Sequence, residues 1–262
     1  MSSVCLITGA SAGIGAALAR EFAAHGHTLV LSARREAEME ALAADIAGAG
    51  HARPAVIAAD LGSPAGIAQL AEMMSARGLE PAVLVNNAGF GLLGEAAALD
   101  LGRELVMIDL NVRALTDLTM RFLDGVKRQR GGILNVASVA AFVPGPGMAV
   151  YHATKAYVLS FTEALHAELA ADGVRVCALC PGPVKTEFFA RAGVPQGYFP
   201  AFLARSAERV AREAYEGFMA GHRVVAPGTI NRALTVLPRL LPRGATLALT
   251  AQRWRRARRG GG

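Results

Sequence analysis

The stretch VCLITGASAGIG, residues 4–15, runs from an apolar segment of strand length into a turn carrying Gly9, Gly13 and Gly15, and then into helix-compatible sequence. The glycines permit a tight turn and close approach of the backbone to a bound group. The helix that follows offers unpaired N–H groups and the positive end of its dipole, which together suit a phosphate. The glycine spacing is wider than the commoner G-x-G-x-x-G fingerprint, so the turn draws its weight from its place between a strand and a helix.

The same alternation continues along the chain. Strand-like apolar runs recur at Val4–Thr8, Thr28–Ser32, Ala55–Ala59, Ala82–Asn86, Gly132–Ala137, Val174–Cys180 and Arg223–Ala226. Between them, segments 13–25, 36–48, 64–77, 101–128, 151–171 and 206–220 carry apolar residues at spacings of three and four, as in Leu105, Ile108, Val112 and Leu115. Strand and helix in regular alternation predict an α/β fold, a single doubly wound Rossmann-type domain with a mostly parallel seven-stranded sheet and helices on both faces. Such a sheet binds ligands beyond the carboxyl ends of its strands.

Composition narrows the classes. With 262 residues, 53% hydrophobic and 18% charged, the chain is long enough for one large core. Cys5, Cys177 and Cys180 fall in strand-like runs, which predicts buried thiols and a cytoplasmic location. No second Cys pair or nearby His completes a metal site around Cys177 and Cys180, and no metal is expected. The longest uncharged run, Gly131 to Thr154, is interrupted by Asn135, Ser138, Pro144 and Pro146, unlike a membrane-spanning helix. The net charge of +6 is uneven: residues 1–216 carry −3, whereas residues 217–262 hold nine Arg and no acid. This asymmetry hints at an acidic partner. Nucleic acid is not expected, because no binding module accompanies the basic run.

The residues after each strand carry the chemistry. After the second stand Arg34 and Arg35, where a carboxylate would bond the ribose of NAD; a guanidinium, with the Ser11 hydroxyl as a helper, suits a 2′-phosphate and favours NADP(H) over NAD(H). After the third stands Asp60, a candidate acceptor for an adenine amino group or a helix cap, followed by Leu61. After the fourth comes NNAG, residues 86–89, whose Asn87, Ala88 and Gly89 suit backbone running close to a ligand. Ser138 follows the fifth strand, thirteen residues before Tyr151, and PGPVKT, residues 181–186, follows the sixth. Tyr151 and Lys155 lie at i and i+4, on one helix face, in a chain with only three lysines.

TGASAGIG, NNAG, Ser138, Tyr151-x-x-x-Lys155 and Pro181-Gly182, in this order and spacing, resemble the short-chain dehydrogenase/reductase family over about residues 4–190. Asn111, in DLNVRA, sits where that family places its catalytic asparagine. The resemblance implies a cofactor cradle of Gly9, Ser11, Gly13, Ile14, Gly15, Arg34, Asp60, Leu61, Asn87, Ala88, Gly89, Tyr151, Lys155, Val184 and Thr186, and a catalytic set of Asn111, Ser138, Tyr151 and Lys155. Tyr151 would give its proton to a carbonyl oxygen and Ser138 would bond that oxygen. Lys155 would hold the ribose and lower the phenol pKa by ~3 units, roughly 4 kcal/mol. Asn111 would hold a water that resupplies the proton, and Thr186, with Val184, would orient the carboxamide. His152 has no role in this scheme and reads as structural. The alternative function is a non-catalytic NADP(H)-binding sensor or scaffold.

Phe90, Phe142, Phe188, Phe189, Tyr198, Phe199 and Phe202 are expected around the substrate, in loops including one at about 186–205. They imply an apolar ketone, aldehyde or secondary alcohol rather than a small charged acid. Residues 1–228 are expected to form the catalytic domain, and 229–262 a basic extension that is partly disordered or lies on a membrane surface, or else packs beside the pocket. Relatives of this kind pair through helices corresponding to 101–128 and 151–171, which implies a homodimer or homotetramer.

Overall fold

The structure is a computed structural model that describes residues 4–195 and 198–259. Its strands are β1 (Val4–Thr8), β2 (Thr28–Ala33), β3 (Ala55–Ala58), β4 (Val83–Asn86), β5 (Gly132–Val136), β6 (Arg175–Leu179) and β7 (Val224–Val225), in the order β3-β2-β1-β4-β5-β6-β7. Every neighbouring pair is parallel. The order reverses between β1 and β4, so a crevice opens there at the carboxyl ends of the strands.

The helices are α1 (Gly13–Ala24), α2 (Glu36–Gly48), α3 (Pro64–Ala76), α4 (Leu101–Ile108), α5 (Leu115–Arg128), α6 (Ala149–Glu168), α7 (Phe188–Arg191), α8 (Ala207–Met219), α9 (Thr229–Leu240) and α10 (Arg243–Arg259). Successive strand residues point to opposite faces of the sheet, so each strand feeds two cores. In β1, Cys5 and Ile7 pack with Leu18, Phe22 and Phe218 of α1 and α8, while Leu6 packs with Ile67, Leu118 and Leu165 of α3, α5 and α6. Phe22 is fully buried and meets Tyr215 edge to face at 4.9 Å, so truncating it to Ala costs on the order of 3–5 kcal/mol.

Two departures from the expected elements bear on the site. The single helix expected over 101–128 is broken by a π-helical segment at Asp109–Ala114 that contains Asn111; the apolar spacing continues through it, so periodicity cannot reveal the break. The chain from Thr229 onward forms α9 and α10, with Pro238 inside α9 and Pro242 between the two helices.

Candidate active site

A cavity of about 630 Å³ lies along the carboxyl edge of the sheet. Its wall includes Gly9, Ser11, Gly13, Ile14, Gly15, Arg34, Asp60, Leu61, Asn87, Ala88, Gly89, Ser138, Tyr151, Lys155, Val184 and Thr186, so the structure brings the expected cofactor set together. Asn111 lies just behind the wall: a Cβ on Gly89 would fall 2.8 Å from its Oδ1 and 3.5 Å from Lys155 Nζ.

One end of the cavity has the features of an anion cradle. The first turn of α1 has no capping side chain and no acidic residue, which leaves its N–H groups available. A Cβ on Gly15 would come within 2.3 Å of Gly9 O, so only glycine keeps this turn and helix in register. Thr8 organises the opposite side, its Oγ1 accepting from Asn87 N at 3.0 Å and Ala88 N at 3.1 Å, while Asn87 Nδ2 donates to Thr8 O at 2.9 Å. Ser63, not Asp60, caps α3; Asp60 instead accepts from Gly62 N through Oδ1. Arg34 makes no ion pair among the described residues. Arg35 is engaged with Glu38 at 3.2 Å and with Glu187 at 3.3 Å, and Glu187 also binds Arg191 at 2.7 Å. These features fit a dinucleotide.

At the other end, β5 and α6 converge. Tyr151, Lys155, Ser138 and Asn111 are all buried. Lys155 Nζ donates to Val136 O at 2.8 Å and stands 5.9 Å from the Tyr151 ring centre. Asn111 Nδ2 donates to Phe90 O at 2.9 Å and Thr154 Oγ1 at 3.1 Å, and Thr154 Oγ1 donates to Tyr151 O at 2.7 Å. Thr154, not singled out in the sequence, thus joins the asparagine to the tyrosine's helix. His152 anchors the loop before α6, with Nδ1 2.8 Å from Val143 O.

Burial pushes the Tyr151 phenol up to about 12, against the opposing hydrogen bond with Ser138, and pushes the Lys155 ammonium down to about 8. Burial is the largest of these influences on the phenol, and it opposes the lowering expected of Lys155 and a bound cofactor.

The aromatic residues divide. Phe188, Phe189 and Phe199 line the cavity, and a ladder runs from Tyr151 to Phe188 at 5.5 Å, to Phe189 at 5.6 Å and on to Phe199 at 5.1 Å. Phe90, Phe142, Tyr198 and Phe202 do not line it: Phe90 and Phe142 pack into small cores, Tyr198 meets Phe199 edge to face at 5.0 Å, and Phe202 is 75% exposed. Leu234, Leu237 and Leu241 of α9 and its end, and Leu249 of α10, supply apolar wall that the helix-period pattern of the tail alone did not assign. The loop carrying Phe188 and Phe199 is pinned at its base, where Lys185 N donates to Arg205 O at 2.9 Å and Arg205 N to Pro183 O at 3.0 Å.

Compared with known proteins, residues 3–196 match the sequence profile described as short chain dehydrogenase. The chain belongs to the short-chain dehydrogenase family. This short-chain dehydrogenase is 34% identical over 242 residues to sulfoacetaldehyde reductase 2 of Chromohalobacter salexigens, spanning 91% of the chain and 95% of that protein. It is similar in structure to a short-chain dehydrogenase from Sphingobium yanoikuyae solved with NADPH, at 33% identity and a TM-score of 0.82, with 95% of each chain covered. It is also similar to a bulky-bulky ketone specific alcohol dehydrogenase from Comamonas testosteroni, at 29% identity and a TM-score of 0.76, covering 92% of this chain and 95% of that one. The short-chain dehydrogenase described here is accordingly an NAD(P)-dependent oxidoreductase acting between carbonyl and alcohol.

Proposed function

We propose that the protein is an NADP(H)-preferring reductase of apolar ketones and aldehydes, running in reverse on secondary alcohols, with Ser138, Tyr151, Lys155 and Asn111 as its proton-transfer site. The observation that carries this reading is the aromatic ladder that begins on the Tyr151 ring, inside the same cavity as the phosphate cradle.

Bound NADPH supplies the hydride. The protein's part is to hold the carbonyl oxygen between the Ser138 and Tyr151 hydroxyls and to deliver the Tyr151 proton to it as negative charge develops. Lys155, charged below about pH 8, steadies the anionic phenol that remains. Asn111 acts through the Phe90 and Thr154 bonds that fix the geometry around α6. A sensor would have no use for a buried donor phenol beside a buried ammonium, which favours the enzyme over the scaffold reading.

Arg34, which makes no ion pair among the described residues, supports a preference for the 2′-phosphate cofactor. Three free, buried cysteines accord with a reducing cytoplasm. The loop's arginine, Arg191, is tied to Glu187, so it offers no ready clamp for an anionic substrate. The likeness to a sulfoacetaldehyde reductase supports the competing choice of a small sulfonated aldehyde. NADPH oxidation measured over a graded panel of apolar ketones and aldehydes, with sulfoacetaldehyde alongside, decides between them. Rates that rise with apolar bulk support the proposal, and selective turnover of sulfoacetaldehyde would replace it.

A further inference from the structure

The C-terminal helices form a cap over the cavity that presents apolar side chains on both sides. Asn231 of α9 is buried, leaves its Oδ1 without a partner among the described residues, and occupies the space beside Gly182. Trp254 of α10 lies against Gly147 in the loop before α6. The polar Asn231 thus faces the protein, while apolar residues face out, the reverse of an ordinary surface helix.

Leu234, Leu237, Leu241 and Leu249 line the cavity and are still between 39% and 60% exposed, so the cavity opens through this apolar face. Beside the mouth, Ile230, Val236, Leu240 and Leu247 do not touch the cavity and are exposed, Val236 by 53% and Leu240 by 75%. On a helix, Val236 and Leu240 share one side. From Thr229 to Arg259 the cap carries eight arginines and no acidic residue. Among the described residues no helix is long and apolar enough to cross a membrane.

We infer that this cap docks on the surface of an anionic lipid bilayer, with the cavity mouth opening onto the acyl region from which the carbonyl substrate is drawn. An exposed apolar face on a segment that is strongly basic in sequence supplies both attractions that hold a peripheral helix on anionic lipid. A second copy of the same segment is disfavoured, because each carries eight arginines and no acidic residue to offset them. The inference rests on the apolar-substrate reading for what passes through the mouth, but docking itself does not depend on turnover.

The test is co-sedimentation of the full chain with vesicles of phosphatidylcholine alone and of phosphatidylcholine mixed equally with phosphatidylglycerol. Two variants are compared, V236E/L240E and R255Q/R256Q/R258Q/R259Q, both checked for fold by circular dichroism and for NADPH binding. The full chain should pellet only with the anionic vesicles and be released in high salt, and each variant should bind about tenfold or more weakly. Turnover of a small water-soluble ketone, which needs no bilayer, should be unchanged in both variants; its loss in the full chain would strike the proposed function and leave vesicle binding standing. A full chain that stays in the supernatant, or variants that pellet as well as it does, would overturn the inference. So would a loss of self-association in V236E/L240E, measured by sedimentation, with no vesicle binding by the parent.

Discussion

Tyr151 and Lys155 show how a five-residue motif acquires its chemistry from elsewhere. Their shared helix face was legible in YHATK, Ser138 in its place after a strand and Asn111 only through the family resemblance, whereas the burial that opposes ionisation of the phenol emerges only in the packed site. The shifts set a pH dependence. With Tyr151 raised to about 12 the donor stays protonated through neutrality, so kcat/KM for reduction should be level below pH 8 and fall above it as Lys155, lowered to about 8, loses its charge. Alcohol oxidation needs the phenolate and should instead climb with pH. Profiles in both directions check this, and a reduction rate that rises through pH 8 to 10 would contradict it. Arg34 carries a second prediction: Arg34→Asp should lower the NADPH/NADH ratio of kcat/KM by on the order of tenfold to a hundredfold, as loss of a charge-assisted bond and gain of repulsion require. An unchanged ratio would show that Arg34 does not read the cofactor.

At the scale of elements, β1, β2 and α2 begin where their residue patterns place them, because alternating apolar runs and glycine turns report local structure directly. The π segment at Asp109–Ala114 and the division of the seven aromatic residues were not legible: both depend on contacts from distant parts of the chain, Phe90 and Thr154 for Asn111, and two small cores for Phe90 and Phe142. The ion-pair chain Arg35–Glu187–Arg191 joins the end of β2 to α7's loop and places a carboxylate among the arginines of the cradle. Glu187→Gln releases Arg35 from that partner and removes the negative charge. NADPH should then bind about two- to fivefold more tightly, the range of an exposed ion pair. Titration by fluorescence measures it, and equal or weaker binding would show that Glu187 does not compete with the cofactor.

For the whole molecule, the parallel sheet gathers the expected cofactor residues with Ser138, Tyr151 and Lys155 around one cavity, and that organisation follows from alternation visible in the sequence. The contribution of α9 and α10 to the cavity wall was less legible, because an amphipathic pattern broken by Pro238 and Pro242 does not say which face turns inward. A second surface also bears on assembly. Leu101, Leu105, Val106 and Ile108 on α4, Met120 on α5 and Tyr157 on α6 are exposed. We propose that two copies associate through these helices, which would bury those side chains; Leu105→Glu should then shift the chain toward monomer by sedimentation at micromolar concentration, and an unchanged mass would place any interface elsewhere. All of these features serve one chemical claim, that the phenol of Tyr151 supplies the proton to a carbonyl reduced by NADPH. The direct measurement is NADPH oxidation by Tyr151→Phe with the best ketone of the panel, beside NADPH binding to the same variant. Binding within about twofold of the parent with turnover reduced by at least 100-fold, the upper part of the range for loss of a general acid, is the predicted result. Turnover close to that of the parent would contradict the account.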